Sequence, residues 1–117
     1  MEEIRIITLK SKIHRAVVTE SKLDYIGSIE IDKKLLDIAG IRNNEQVHVV
    51  NLSNGKRWIT YAIPAKRGSK IISVNGGGAR LAEKGDILII MAYVSIPEEI
   101  ELTPKVIFLN EKNDIIK

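Results

Sequence analysis

The chain has 117 residues, no cysteine, 44% apolar and 28% charged residues, and a net charge of +3. That length suffices for one domain with a substantial core. The absence of cysteine excludes disulfide staples and thiolate metal sites, while Glu2, Glu3 and Arg5 stand where a secretory leader would be apolar, so a cytoplasmic protein is expected.

In chain order, short Ile- and Val-rich runs predict strands at 4–9, 16–19, 28–31, 46–51, 57–63, 70–74, 87–94 and 106–109. One helix interrupts them, with Asp32 as N-cap, 33–39 as its body and Gly40 as its stop. Asn54-Gly55 predicts a hairpin turn in which both residues tolerate positive φ. A further helical turn is expected near 79–83. Many short strands with little helix imply a small closed β-barrel. The longest apolar run, 87–94, cannot span a bilayer, so no membrane partner is expected. Residues 56–70 carry five basic and no acidic side chains, but with 4% aromatics the chain has few surfaces on which bases could stack. Nucleic acid is not expected as a partner; a small anion is.

Three clusters carry possible chemistry. A Ser28 hydroxyl can attack the Gly27 carbonyl and convert the amide to an ester, if the backbone bends as glycine permits and a donor supports the oxyanion. β-Elimination and hydrolysis then leave a pyruvoyl group on a new amino terminus. On strand 57–63, Arg57, Ile59 and Tyr61 share one face and Trp58 and Thr60 the other. About 13 Å separates Arg57 from Tyr61, within reach of one pocket for a long guanidinium. For Thr60 and Tyr61 to serve one site, a bulge or a neighbouring subunit is needed. Asn75-Gly76-Gly77-Gly78 offers unshielded backbone N–H groups suited to an anion. Lys12 and His14 project from one strand face. His14 and His48 lack a third ligand at persuasive spacing, so no metal is expected.

Together these clusters resemble the pyruvoyl-dependent aspartate 1-decarboxylases. The matching pieces are Lys12-Ile13-His14-Arg15, Tyr25-Ile26-Gly27-Ser28, Asp37-Ile38-Ala39-Gly40-Ile41, Asn54-Gly55-Lys56-Arg57, Thr60-Tyr61-Ala62-Ile63, Arg67-Gly68-Ser69, Ile71-Ile72-Ser73-Val74-Asn75-Gly76 and Gly85-Asp86, in the family's order. The resemblance implies a double-psi β-barrel in a homotetramer with active sites between subunits. It also implies a proenzyme cut into chains 1–27 and 28–117, spontaneously or with a maturation factor. Carried over by position, Ser28 becomes the pyruvoyl that forms a Schiff base with L-aspartate, and Tyr61 matches the proton donor. Thr60 matches the oxyanion support and a substrate contact, Gly76, Gly77 and Gly78 the substrate loop, and Lys12 and Arg57 the carboxylate anchors. His14, Tyr25 and Asn75 match supporting residues. The implied product is β-alanine, for pantothenate and coenzyme A synthesis. Gly77 and Gly78 stand where the family commonly has alanine, Trp58 where Phe is more usual, and Ile26 where a polar residue is often found.

Overall fold

A computed structural model describes residues 3–117; Met1 and the charged Glu2 of the chain's opening lie outside the described residues. Eight strands form one sheet: β1 (Arg5–Val17), β2 (Glu20–Lys22), β3 (Ser28–Asp32), β4 (Gln46–Asn51), β5 (Arg57–Ala65), β6 (Ile72–Asn75), β7 (Ile87–Pro97) and β8 (Lys105–Phe108). Their spatial order is β2-β6-β3-β5-β4-β7-β1-β8. Three neighbouring pairs, β1–β8, β2–β6 and β3–β5, are parallel and the rest antiparallel. The sheet curls around one core as a small β-barrel. Its interior is filled by Ile13, Ile29, Ile31, Val47, Ile72 and Ile90, all fully buried. Each such side chain contributes roughly 1.5–3 kcal/mol. Among the described residues, no helix is long and apolar enough to cross a membrane.

Helix α1 (Lys33–Ala39) closes the barrel with Leu35, Leu36 and Ala39. Its limits are those the cap residues predict. Asp32 Oδ1 accepts from Lys34 N at 2.8 Å, and Gly40 ends the helix at φ 72°. The same Asp32 carboxylate also accepts from Gly68 N and Lys70 N, both at 2.9 Å, so the helix cap holds the loop before β6 as well.

Several boundaries differ from expectation. The runs at 4–9 and 16–19 are parts of one region whose strand, β1, crosses between them, with register shifts at Leu9/Ser11 and His14/Ala16. Arg15 bulges at φ 69° in the second shift. Strand β2 consists of exposed polar residues and has no apolar signature. The turn after β4 spans four residues, closed by Gly55 N to Asn51 O at 2.7 Å; Gly55 alone takes positive φ, at 78°, and Asn54 does not. The expected helical turn near 79–83 lies earlier, as a 3₁₀ helix over Gly76–Arg80.

Candidate active site

The register lays five residues in one row across the outer face of the sheet. Lys22 pairs with Asn75, and Asn75 with Ser28. Ile29 pairs with Ala62, which sets Ser28 level with Tyr61, and Tyr61 pairs with Gln46. Residues opposite one another in neighbouring strands share a face. Ser28 and Tyr61 are therefore side by side, about 4.8 Å apart in backbone spacing, and both point away from the core that Ile29 and Ala62 help fill.

Ser28 is 3% exposed and Asn75 1%, although both face outward. The covering comes from the segment before Ser28. Gly76 takes φ 66° and packs so tightly that a Cβ on it would lie 2.7 Å from Gly27 Cα and 2.8 Å from Tyr25 O. Glycine is required there twice over, by dihedral and by space. Tyr25 is half exposed, and the Lys22 ammonium lies 5.6 Å from its ring centroid. Lys22 also pairs with Glu20 at 3.2 Å, the main reason its pKa is raised.

The polar contacts at Ser28 converge on one amide. Asn75 Nδ2 donates to Ser28 Oγ at 3.0 Å and to Glu30 Oε1 at 3.0 Å, while Ser73 Oγ donates to Asn75 Oδ1 at 2.9 Å. Glu30 in turn lies 3.9 Å from Lys22 Nζ. Ser73 belongs to one of the motif pieces and Glu30 to none, yet alternation along Ser28-Ile29-Glu30 puts Glu30 on the Ser28 face.

Two other motif pieces brace the glycine segment from below. Asn51 Nδ2 donates to Leu81 O at 3.0 Å and Asp86 Oδ2 at 2.8 Å, and Asn54 Nδ2 to Leu81 O at 3.1 Å. Gly77 has open space around its Cα, whereas a Cβ on Gly78 would lie 3.0 Å from Trp58 Nε1.

Not every expected site residue joins this group. Arg57 is exposed on the outer face of β5, four residues from Tyr61. The β4–β5 ladder is continuous from Arg57 to Tyr61, without a bulge, and Thr60 pairs with the core residue Val47. Thr60 thus faces inward, away from Tyr61, and no bulge brings the two side chains together within one chain. Lys12 and His14 lie on β1, four strand spacings from Ser28, or roughly 19 Å measured along the sheet. His14 packs edge-on against Phe108 with ring centroids 5.3 Å apart. Burial, then Lys12 and Arg15, lower its pKa, and among the described residues its buried Nδ1 has no partner.

The same outer face carries two open grooves. One of about 610 Å³ is lined by Ile7, Gln46, His48 and Tyr93, the other of about 400 Å³ by His48, Val50, Arg57 and Ile59. Neither includes Ser28. Among the described residues, no three or more His, Asp or Glu side chains group to hold a metal ion.

Residues 4–116 match the sequence model of the aspartate decarboxylase family. The chain is 54% identical over 111 residues to an aspartate 1-decarboxylase of Carboxydothermus hydrogenoformans, covering 93% of this chain and 87% of that protein. It is 53% identical over 111 residues to that of Caulobacter vibrioides, covering 93% and 94%. Against that of Clostridium botulinum the identity is 54% over 109 residues, covering 92% and 88%.

Proposed function

The chain belongs to the aspartate decarboxylase family, and on that premise we propose that it converts L-aspartate to β-alanine and CO2 at a pyruvoyl group made from its own Ser28, supplying β-alanine for pantothenate and coenzyme A synthesis. The observation that carries this reading is the setting of Ser28: a buried hydroxyl with an amide donor at 3.0 Å, preceded by a glycine segment wedged against Gly76.

Those residues fit the group. Ser28 Oγ bonds to the Gly27 carbonyl carbon, the Gly27–Ser28 C–N bond breaks, and the hydroxyl proton passes to the Ser28 nitrogen. Loss of the Ser28 Cα proton then forms Cα=Cβ as the Cβ–Oγ bond breaks, and Gly27 departs as a carboxylate carrying Oγ. Water replaces the nitrogen, released as ammonia. The chains produced are 1–27 and 28–117. A Cβ on Gly27 would meet nothing within 4 Å, so it is glycine's backbone freedom, not lack of space, that suits the scissile position.

The keto group supplies an electron sink for the carbanion left when CO2 departs. The side chains do the rest. Arg57 offers a two-pronged donor for a substrate carboxylate on the face shared with Tyr61. Tyr61, level with Ser28, is the proton donor to the substrate carbon. Asn75 and Tyr25 support Ser28, and Gly76, Gly77 and Gly78 present backbone N–H groups to the substrate. Lys12 and His14 reach the Ser28 site only from another copy of the chain, and so the reading includes a homotetramer with shared sites.

Intact mass of matured protein tests this. Fragments 1–27 and 28–117 are expected, the larger lighter by one ammonia than simple hydrolysis gives. Ser28→Ala must remain whole and inactive, and Tyr61→Phe must cleave without releasing β-alanine. An unbroken wild-type chain that still decarboxylates aspartate overturns the proposal.

A further inference from the structure

We propose that Glu30 is a positioning residue for chain cleavage: its carboxylate fixes the Asn75 amide with the NH2 group turned toward Ser28 Oγ. The inference rests on the reading that Ser28 severs its own peptide bond.

The two hydrogens of Asn75 Nδ2 are both committed, one to Ser28 Oγ and one to Glu30 Oε1, each at 3.0 Å. Its Oδ1 takes the Ser73 hydroxyl at 2.9 Å. Of these three neighbours, only Glu30 distinguishes the two ends of the amide. Serine hydroxyls donate or accept equally well, so Ser28 and Ser73 tolerate the amide turned over. An ionised carboxylate only accepts, and a carbonyl oxygen facing it would be repelled while a buried N–H lost its partner. Glu30 therefore selects the orientation. Lys22, 3.9 Å from the same oxygen, ties the carboxylate to the strand leading into Tyr25.

The orientation matters because of what happens at Oγ. An N–H aimed at Oγ makes its proton easier to release for the attack on Gly27. It again favours the later step, in which Oγ leaves Cβ with the electron pair as part of the Gly27 carboxylate. A carbonyl oxygen in that place would instead hold the hydroxyl proton and oppose charge on Oγ. Glu30 touches neither the scissile carbonyl nor substrate in this account; it acts through Asn75.

The experiment follows cleavage of freshly produced full-length chain by intact mass, for wild type, Glu30→Gln, Glu30→Asp, Asn75→Ala and the double variant Glu30→Gln/Asn75→Ala. Circular dichroism of each in a Ser28→Ala background checks folding. Glu30→Gln keeps the length but gains donors, so cleavage is expected to slow roughly tenfold to hundredfold, the scale of a hydrogen bond to a charged group. Glu30→Asp, shorter but acceptor-only, is expected to cleave faster than Glu30→Gln. A role in packing alone predicts the reverse order, because Gln matches Glu in shape. Adding Glu30→Gln to Asn75→Ala is expected to change nothing further. Wild-type cleavage by Glu30→Gln, Asp slower than Gln, or independent addition of the two effects each overturns the proposal. If Glu30→Gln fails to fold, the Asp variant decides by whether it retains cleavage. A wild-type chain that never breaks removes the cleavage reading and this inference together; a wild type that breaks with Glu30→Gln unaffected removes this inference alone.

Discussion

Gly76→Ala isolates the contact on which the Ser28 setting depends. The added methyl would sit 2.7 Å from Gly27 Cα, 2.8 Å from Gly27 N and 2.8 Å from Tyr25 O. All three are backbone atoms, so no side chain can rotate out of the way. Ordinary van der Waals contact begins at 3.4 Å, and opening the gap from 2.7 Å displaces the Tyr25–Gly27 backbone by about 0.7 Å. The φ of 66° adds a cost of about 1–2 kcal/mol for a residue with a Cβ, and the forced packing about 1–3 kcal/mol more. A shift approaching 1 Å at the scissile carbonyl costs about a hundredfold in rate where geometry controls the reaction. Denaturant titration in a Ser28→Ala background is expected to show a loss of about 2–5 kcal/mol. Intact-mass time courses, run where the variant is folded, are expected to show cleavage slowed roughly thirtyfold to hundredfold. Gly77→Ala is the control: nothing lies within 4 Å of its Cβ position, and its cost should stay within about 0.5 kcal/mol. A folded Gly76→Ala that cleaves at the wild-type rate would show that this contact does not set the geometry of attack.

Gly78→Ala places a Cβ 3.0 Å from Trp58 Nε1 and 3.1 Å from Val74 Cγ1, and is expected to cost about 1 kcal/mol by thermal melting. In a Trp58→Phe background that cost should fall, the contact with buried Val74 remaining; an equal cost there refutes the link between Gly78 and Trp58. His14, with its pKa lowered below the ordinary 6.5 by burial first and by Lys12 and Arg15, binds its proton more readily unfolded than folded. Its contribution to stability is thus present above 6.5 and lost as pH falls from there toward the lowered folded value, so denaturant midpoints measured from about pH 7.5 to 5 should fall less for His14→Gln than for wild type. Lys12→Ala and Ser28→Ala chains, each inactive alone, should regain about one quarter of full activity when co-assembled at equal ratio, because random pairing leaves that share of between-subunit sites intact. No recovery in proven mixed oligomers means that Lys12 and Ser28 of one chain serve the same site.

The α-helix was legible because both of its ends are chemical: a carboxylate able to cap and a glycine able to take φ 72°. The barrel interior was legible from runs of Ile and Val. The bulge at Arg15 was not, since arginine at φ 69° has no sequence signature and is imposed by the register of β7 and β8. Strand β2 was hidden for the opposite reason: Glu20, Ser21 and Lys22 bury nothing and are held by pairing with β6. At the site, Ser28, Tyr61 and Asn75 could be picked out by type and motif. Glu30 could not, because its role comes from the orientation of another side chain's amide, which only three-dimensional contacts fix.

The barrel's own construction pushes the chemistry outward. Its interior is packed mainly with apolar side chains such as Ile13, Ile29, Val47, Ile72 and Ile90, so a doubly charged substrate has no place there. Ser28, Tyr61 and Arg57 all stand on the opposite face. An outer face is open to water, however, and a reaction that passes through a carbanion needs water excluded and charges fixed. Strand β1 does not cover Tyr61 and Arg57 from within the chain, because its Lys12 and His14 lie three strand spacings from β5 around the barrel. Exposed Ile59 and the groove beside Tyr93 and His48 leave an apolar margin around the same face. A second copy laid on that margin would supply the missing wall and bring a lysine to a substrate carboxylate. On the proposed reading, catalysis and assembly are one requirement, and loss of either should abolish the other's purpose.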